Sequence, residues 1–349
     1  LPTNNAEKIV IRILDYSMSL AGLDNLGFSE DAMEKINRLI KIPNGIILVT
    51  GATGTGKSTT LYSILQKLNT EAVNIITVED PVEMDIEGIN QVQTQSEIGL
   101  TFATILRSIL RQDPNIIMIG EIRDDETARI AVRASITGHL VLSSLHTNNS
   151  LNTIERLTDM DVERYLLGSS LEGIISQRLA RKVCPECSIK RPTTDYERQV
   201  FKTVLGKDVL EMVVANKEGC PKCTHGYKGR LAILEVLVMN EQIKDAITNG
   251  ANKNTLRELV YTGDVVTLLQ DGLNKVVLGE TTFEEILKIV DLENDMTQYN
   301  DDNLKTNLKM AQQAHKVDNK TNDKPITSNI TSEFKIEKTN NENIETVEF

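Results

Sequence analysis

The sequence predicts an α/β chain whose core is a parallel sheet covered by helices, and three observations predict it. Short apolar runs alternate with segments of helical periodicity: Ile46-Ile-Leu-Val-Thr50, Val73-Asn-Ile-Ile-Thr-Val78, Ile116-Ile-Met-Ile119 and Leu140-Val-Leu-Ser-Ser-Leu145. Strands this short and this apolar are buried on both faces, the condition of parallel strands under helices. A glycine-rich loop joins the first run to a helix. Polar residues gather at the C-terminal ends of the other runs, where α/β proteins place their sites.

The elements follow in order. Lys8-Ile-Val-Ile-Arg-Ile-Leu14 reads as a strand with nothing before it to pair with. Residues 28–41 put Met33, Ile36, Leu39 and Ile40 on one helical face, and Pro43 punctuates the approach to the strand at 46–50. Leu61, Ile64, Leu65 and Leu68 recur at helical spacing, as do Phe102, Ile105, Leu106, Ile109 and Leu110, which stop at Asp113-Pro114. Asp124 or Asp125 can cap the next helix and Gly138 can close it at C′. Residues 183–235 break the rhythm. Residues 236–292 read as helical, with Thr282-Phe-Glu-Glu285 fitting a capping box. Beyond 293 the chain is rich in Asn, Thr, Lys, Asp and Glu and is expected to be a disordered tail.

The 349 residues suit about two domains. A net charge of −12 argues against a nucleic-acid motor, although a local basic groove could lie within it. Trp is absent, so base-stacking platforms are scarce. No apolar run is long enough to span a bilayer, and no secretory leader is visible. A start at Leu1 rather than Met leads us to expect a fragment.

Gly51-Ala52-Thr53-Gly54-Thr55-Gly56-Lys57-Ser58 satisfies G-x-x-x-x-G-K-[ST] between a strand and a helix, with Thr59 next in that helix. Backbone N–H groups and a helix N-terminus would face an anion there. Lys57 would reach the β- and γ-phosphates of a nucleoside triphosphate, and the Ser58 hydroxyl would hold Mg²⁺. Hydrolysis also needs carboxylates. Glu121 ends the strand at 116–119, with Gly120 where a Walker B Asp is usual, and could act on Mg²⁺ through water or orient the attacking water. Glu79, Asp80 and Glu83 follow the strand at 73–78. Glu79 and Glu83 are the better general-base candidates, and Asp80 could hold a metal-bound water. The plain alternative for each group is a solvated strand end or turn. His139 and His146 bracket one strand and are candidate γ-phosphate sensors or interface switches, or simply structural. Most of Arg107, Arg111, Arg123, Arg129 and Arg133 read as helix-surface charges, though one could serve a neighbouring subunit.

All four cysteines fall in two Cys-x-x-Cys pairs, Cys184/Cys187 and Cys220/Cys223. Beside a P-loop, which implies the cytosol, they read as a closed Cys₄ zinc site rather than as disulfides. A redox dithiol is the alternative, and His225 could compete as a ligand.

The ordered set Thr77-Val-Glu-Asp-Pro-Val-Glu83, Leu110-Arg-Gln-Asp-Pro-Asn115, Ile119-Gly-Glu-Ile-Arg-Asp124, Thr137-Gly-His-Leu140, Leu145-His-Thr-Asn148 and Ser176-Gln-Arg-Leu-Ala-Arg-Lys-Val-Cys184 resembles the secretion ATPase superfamily. Its type II secretion and type IV pilus assembly branches are the ones meant. The resemblance runs from about Leu1 to Val290. It implies a RecA-like P-loop NTPase core at 45–182, a tetracysteine zinc subdomain at 183–235 and a C-terminal helical region at 236–292. Residues 1–16 would be the remnant of an N-terminal regulatory domain, 17–44 a linker helix, and 293–349 a tail without family counterpart. The acidic turn resembles the family's Asp box, Gly120-Glu121 its Walker B, and 138–147 its His box. Arg12 resembles an arginine finger.

The family forms homohexameric rings that hydrolyse ATP between subunits. The rings act on an inner-membrane platform protein, from the cytoplasmic side. The zinc subdomain favours extension or secretion over retraction. A DNA-uptake or conjugation motor, a nucleotide-gated scaffold without turnover and a small-molecule kinase are the other readings. No direct nucleic-acid contact is expected.

Overall fold

The computed structural model describes residues 22–290 together with Asn4, Glu7 and Lys8. The expected strand at 8–14 (apart from Lys8), the Arg12 finger and the tail from 293 on lie outside the described residues. Within them run nine strands: β1 (Gly45–Thr50), β2 (Ile75–Glu79), β3 (Asn90–Gln93), β4 (Ile116–Ile119), β5 (Leu140–Leu145), β6 (Leu171–Val183), β7 (Ile189–Pro192), β8 (Glu211–Val214) and β9 (Tyr227–Val238). The helices are α1 (Glu30–Leu39), α2 (Lys57–Leu68), α3 (Phe102–Ile109), α4 (Asp125–Ile136), α5 (Ser150–Asp159), α6 (Arg164–Ser170), α7 (Asp195–Leu205), α8 (Glu241–Thr248), α9 (Lys253–Tyr261), α10 (Leu268–Val277) and α11 (Phe283–Ile289).

Seven strands form one sheet in the order β3-β2-β4-β5-β1-β6-β9, parallel throughout except for the last pair, and β7 and β8 form a separate antiparallel ribbon. This is the RecA-like P-loop arrangement. Side chains alternate between the two faces of each strand. Ile46, Leu48, Val78, Ile117, Ile119 and Val141 share one core with α3, α4 and α5. Ile47, Val49, Ile75, Met118 and Leu142 share the other with α1 and α2. All six residues of β1 are buried, which is why a run without polar alternation folds as a strand here.

Helix ends follow local chemistry. Asp124 caps α4 by accepting from Thr127 N, and Gly138 follows its C-cap with φ 109. The expected capping box at α11 closes in one direction only. Thr282 accepts from Glu285 N at 3.3 Å, but the Glu285 carboxylate turns away from the Thr282 amide. It takes Arg181 Nε at 2.8 Å and Nη2 at 2.6 Å, and Lys288 at 2.8 Å. A bidentate guanidinium outcompetes a backbone amide for a carboxylate.

This pair fastens α11 to β6. A third apolar cluster, with Val200, Phe201, Leu269, Leu273, Phe283 and Ile286, fills the space beneath. No helix among the described residues is long and apolar enough to cross a membrane.

Burial would push the Glu285 carboxyl up, but Arg181 and Lys288 more than offset it and hold it below its usual range. Its contribution is therefore complete above the unfolded carboxylate range and lost as pH falls through the lowered folded value. We expect Glu285→Gln to cost about 1–3 kcal/mol in urea unfolding at neutral pH. The gap from wild type should narrow as the pH is taken below about 4.

Candidate functional site

The site is built at the C-terminal ends of the parallel strands. Thr50, the last residue of β1, stands in register with Leu145 of β5 and Ser176 of β6. The chain then turns through the glycine loop into α2. A Cβ at Gly51 would lie 2.5 Å from Gln177 O and from Thr55 Oγ1, and φ there is 153°. A Cβ at Gly56, where φ is 87°, would lie 2.8 Å from Gln177 Nε2. Both positions therefore require glycine. Gly56 is the N-cap of α2 and brings no side chain over its first amides, which leaves them as donors for an anion.

The loop is held from β6. Gln177 is buried, donates from Nε2 to Thr55 O at 2.8 Å, and accepts from the Thr60 hydroxyl at 2.7 Å. Arg178 donates to Asn148 O at 2.9 Å and Oδ1 at 3.1 Å. Lys57 Nζ donates to Gly51 O at 2.9 Å and Ala52 O at 3.1 Å. Burial lowers the Lys57 pKa, Glu121 opposes that shift, and Arg178 adds to it. A triphosphate would favour the charged ammonium in this position.

Gly120 donates its N–H to Val78 O at 2.8 Å and accepts from the Ser144 hydroxyl at 2.7 Å. That fixes the point from which Glu121 projects. Glu121 is ion-paired to Arg123 through Oε1 and lies 3.2 Å from His146 Nε2 through Oε2. Arg123 also reaches to 3.9 Å from Asp80. It thus bridges the turns after β2 and β4. Glu121 is first among the partners that raise its pKa. Arg107, Arg129 and Arg133 pair at the surface with Glu126, Asp125 and Glu163.

The acidic turn separates its members. Glu79 is buried with both oxygens engaged: Oε2 accepts from the Tyr62 hydroxyl, and Oε1 from Thr77 at 2.6 Å and Gln91 at 3.0 Å. These three donors hold the carboxylate at the base of the acidic turn. Glu83 is half-buried, and its amide donates to Tyr62 Oη at 3.1 Å. Asp80 is exposed, and the Asp80-Pro81 peptide is cis.

The two histidines part company. His146 follows the end of β5 nearest the loop. His139 precedes Leu140, which pairs with Gly45 at the opposite end of β1. There its Nδ1 lies 2.8 Å from Ala134 O, closing α4. The six-residue length of β5 separates it from the phosphate-loop end of the sheet.

The cysteines converge. Cys184 Sγ lies 3.8 Å from Cys220 Sγ, Cys187 Sγ 3.7 Å from Cys223 Sγ, and all four sulfurs lie within 4.8 Å of one another. A tetrahedron with Zn–S bonds of about 2.3 Å has edges of about 3.8 Å. Burial and neighbouring thiols push Cys187 up to about 12. At Cys223 burial acts upward too, but the Cys220 amide and thiol are among the groups that bring it down to about 7. Four sulfurs at this spacing could hold a metal ion. His225 is exposed, has φ 48°, and is not among the converging ligands.

Gln177 and Arg178 escape a sequence reading because they interrupt an apolar run with polar residues and so hide the strand itself. Gln177→Leu should release both loop contacts and weaken nucleotide affinity by about tenfold, a loss of about 1.4 kcal/mol read by titration with a fluorescent ATP analogue.

A family model described as Type II/IV secretion system protein matches residues 1–288. A putative type II secretion system protein E of Escherichia coli is 46% identical over 290 residues, covering 83% of this chain and 58% of that protein. The type II secretion system ATPase E of Vibrio cholerae is 44% identical over 290 residues, covering 83% and 57%. Among solved structures, the pilus retraction motor PilT with bound ADP is 30% identical with a TM-score of 0.56, covering 77% of this chain and 66% of its own. The ATPase DotB of Legionella pneumophila is 26% identical with a TM-score of 0.55, covering 76% and 64%. The chain spans little more than half the length of these curated relatives. The chain belongs to the type II/IV secretion system protein family.

Proposed function

We propose that this member of the family carries the motor portion of a Mg²⁺-dependent ATPase. It would work as a homohexameric ring at the cytoplasmic face of a bacterial inner membrane, driving type II protein secretion or type IV pilus extension. One observation carries the reading: Glu121 is held between Arg123 and His146 at the strand end beside a complete phosphate loop. Identities of 46% and 44% to two type II secretion proteins support a part in secretion.

In this reading the amides of 52–58 and Lys57 bind the β- and γ-phosphates. Glu121 orients the attacking water. His146 shares that carboxylate through Nε2 and makes its position sensitive to what faces it from a neighbouring subunit. Glu79 anchors the acidic turn so that Asp80 and Glu83 face the same space. Ser58 would hold Mg²⁺, which supplies neutralisation of charge developing on the phosphates. Arg12 as a finger from a neighbouring subunit rests on the family resemblance. Cys184, Cys187, Cys220 and Cys223 would hold a structural Zn²⁺, whose donor set and spacing they fit. The natural partner is an inner-membrane platform protein.

Lys57→Ala should abolish ATP binding, and retained affinity would refute the phosphate-loop assignment. Glu121→Gln should bind ATP normally and lose turnover in the hexamer fraction; hydrolysis at the wild-type rate would remove Glu121 from the reaction. Metal analysis should find about one zinc per chain. Zinc-free protein with an unchanged melting temperature would refute the Cys₄ site.

A further inference from the structure

Glu235 lies on β9 in register with Ser176 of β6, which is itself in register with Thr50 of β1, and Thr50 with Leu145 of β5. One transverse row therefore crosses four adjacent strands, from the residue before His146 to Glu235. Side chains link most of it. Thr50 Oγ1 donates to Ser176 Oγ at 3.1 Å, and the Ser176 and Ser150 hydroxyls lie 3.3 Å apart. Glu235 Oε1 accepts the Ser150 backbone N–H at 2.9 Å. Ser150 opens α5 directly after the loop 146–149, so the row folds back on the loop that presents His146 to Glu121.

Two side chains hold the N-terminus of α5. Asn149 caps α5, accepting from Asn152 N at 2.8 Å. Glu235 is fully buried, and its Oε2 has no hydrogen-bond partner among the described residues. Burial pushes its carboxyl above the usual range, against the pull of Ser150 and Arg178. A buried carboxyl is costly, and here it takes the N–H of Ser150, one of the first-turn donors that the Asn149 cap leaves open. What it holds is position. Arg178 fastens the same loop at Asn148, and Thr153 meets Thr147 at 2.6 Å, so the loop is gripped along its length and Glu235 grips its end.

We propose that Glu235 is a positioning residue for ATP hydrolysis: it clamps the start of α5 and so holds the loop 146–149 with His146 set against Glu121. The proposal rests on the functional reading above. Glu235 acts through Ser150 and the loop.

The test uses the full chain in its ATP-hydrolysing assembly. Glu235→Leu should lower kcat about tenfold to a hundredfold, the scale of a small misplacement of a reacting group. KM for MgATP should change by less than about twofold, and Glu235→Gln, which keeps an acceptor for Ser150, should recover most of the loss. In a His146→Ala background Glu235→Leu should cost little more, because both changes act on one group. Wild-type kcat in Glu235→Leu, or losses that simply add in the double variant, overturn the proposal. Glu235→Asp keeps the carboxyl group and withdraws the acceptor by one methylene. Should the Leu variant not fold, reduced kcat at unchanged KM in Glu235→Asp supports the clamp and unchanged kcat overturns it. If wild type does not turn over ATP, the functional reading fails instead. The clamp is then judged by amide hydrogen exchange: Glu235→Leu must speed exchange over 146–152 and leave 57–68 unaltered, and equal exchange at 146–152 overturns it.

Discussion

The nucleotide end of this molecule is referenced to one buried carboxamide. A loop with three glycines has almost no side chains with which to pack, so its position must be imposed from outside. Gln177 imposes it, giving an N–H to Thr55 O and taking the hydroxyl of Thr60. The same strand acts on both sides of the sheet. Gln177 faces α2, while Ser176 and Arg178, one residue before and after, face Thr50 and Asn148. The period of two along β6 thus distributes three consecutive polar residues to the phosphate loop, the end of β1 and the loop carrying His146. Their burial explains why a strand so central is polar in its middle.

Electrostatics are arranged around that frame. Lys57 sits on loop carbonyls, where burial lowers its pKa and Glu121 opposes that shift. Glu121 is shared between a guanidinium and an imidazole, and Arg123 extends to Asp80. The turns after β2 and β4 are thereby tied by charge. Gly120 fits this arrangement: a Cβ there would stand 3.4 Å from Glu79 Cα and Val78 O, so the bare residue lets the two strand ends meet closely while the acid is carried one position on.

Much of this was legible in the sequence, and the exceptions have physical causes. β1, β2, β4 and β5 announce themselves because they are apolar on both faces, and the phosphate loop because its geometry permits few residues. β3, reading Asn90-Gln-Val-Gln93, carries a single apolar side chain at a sheet edge and gives no periodic signal. β6 is masked by its polar centre. β9 lies directly after the second cysteine pair, inside a stretch whose broken rhythm reflects the β7–β8 ribbon and α7. The acids of the turn after β2 could be recognised as a group. Only the structure separates buried, triply bonded Glu79 from exposed Asp80. Likewise His139 and His146 look equivalent in the chain, and strand length alone sends them to opposite ends of the sheet.

The cysteine cluster sits where an excursion leaves and rejoins the sheet. Val183 pairs with Tyr227, and the Cys184 amide donates to Gly226 O at 2.8 Å, so the segment between starts and finishes at neighbouring points. A detour pinched at its neck is thermodynamically forgiving: doubling its length costs only about 0.6 kcal/mol in closure entropy. The ribbon can therefore be enlarged, trimmed or resurfaced by evolution, and by a protein engineer, while α7 keeps Val200 and Phe201 in the third cluster and the ladder from β6 to Gln177 keeps its register. The outline of this face and the seat of the phosphate loop can vary independently in such a chain.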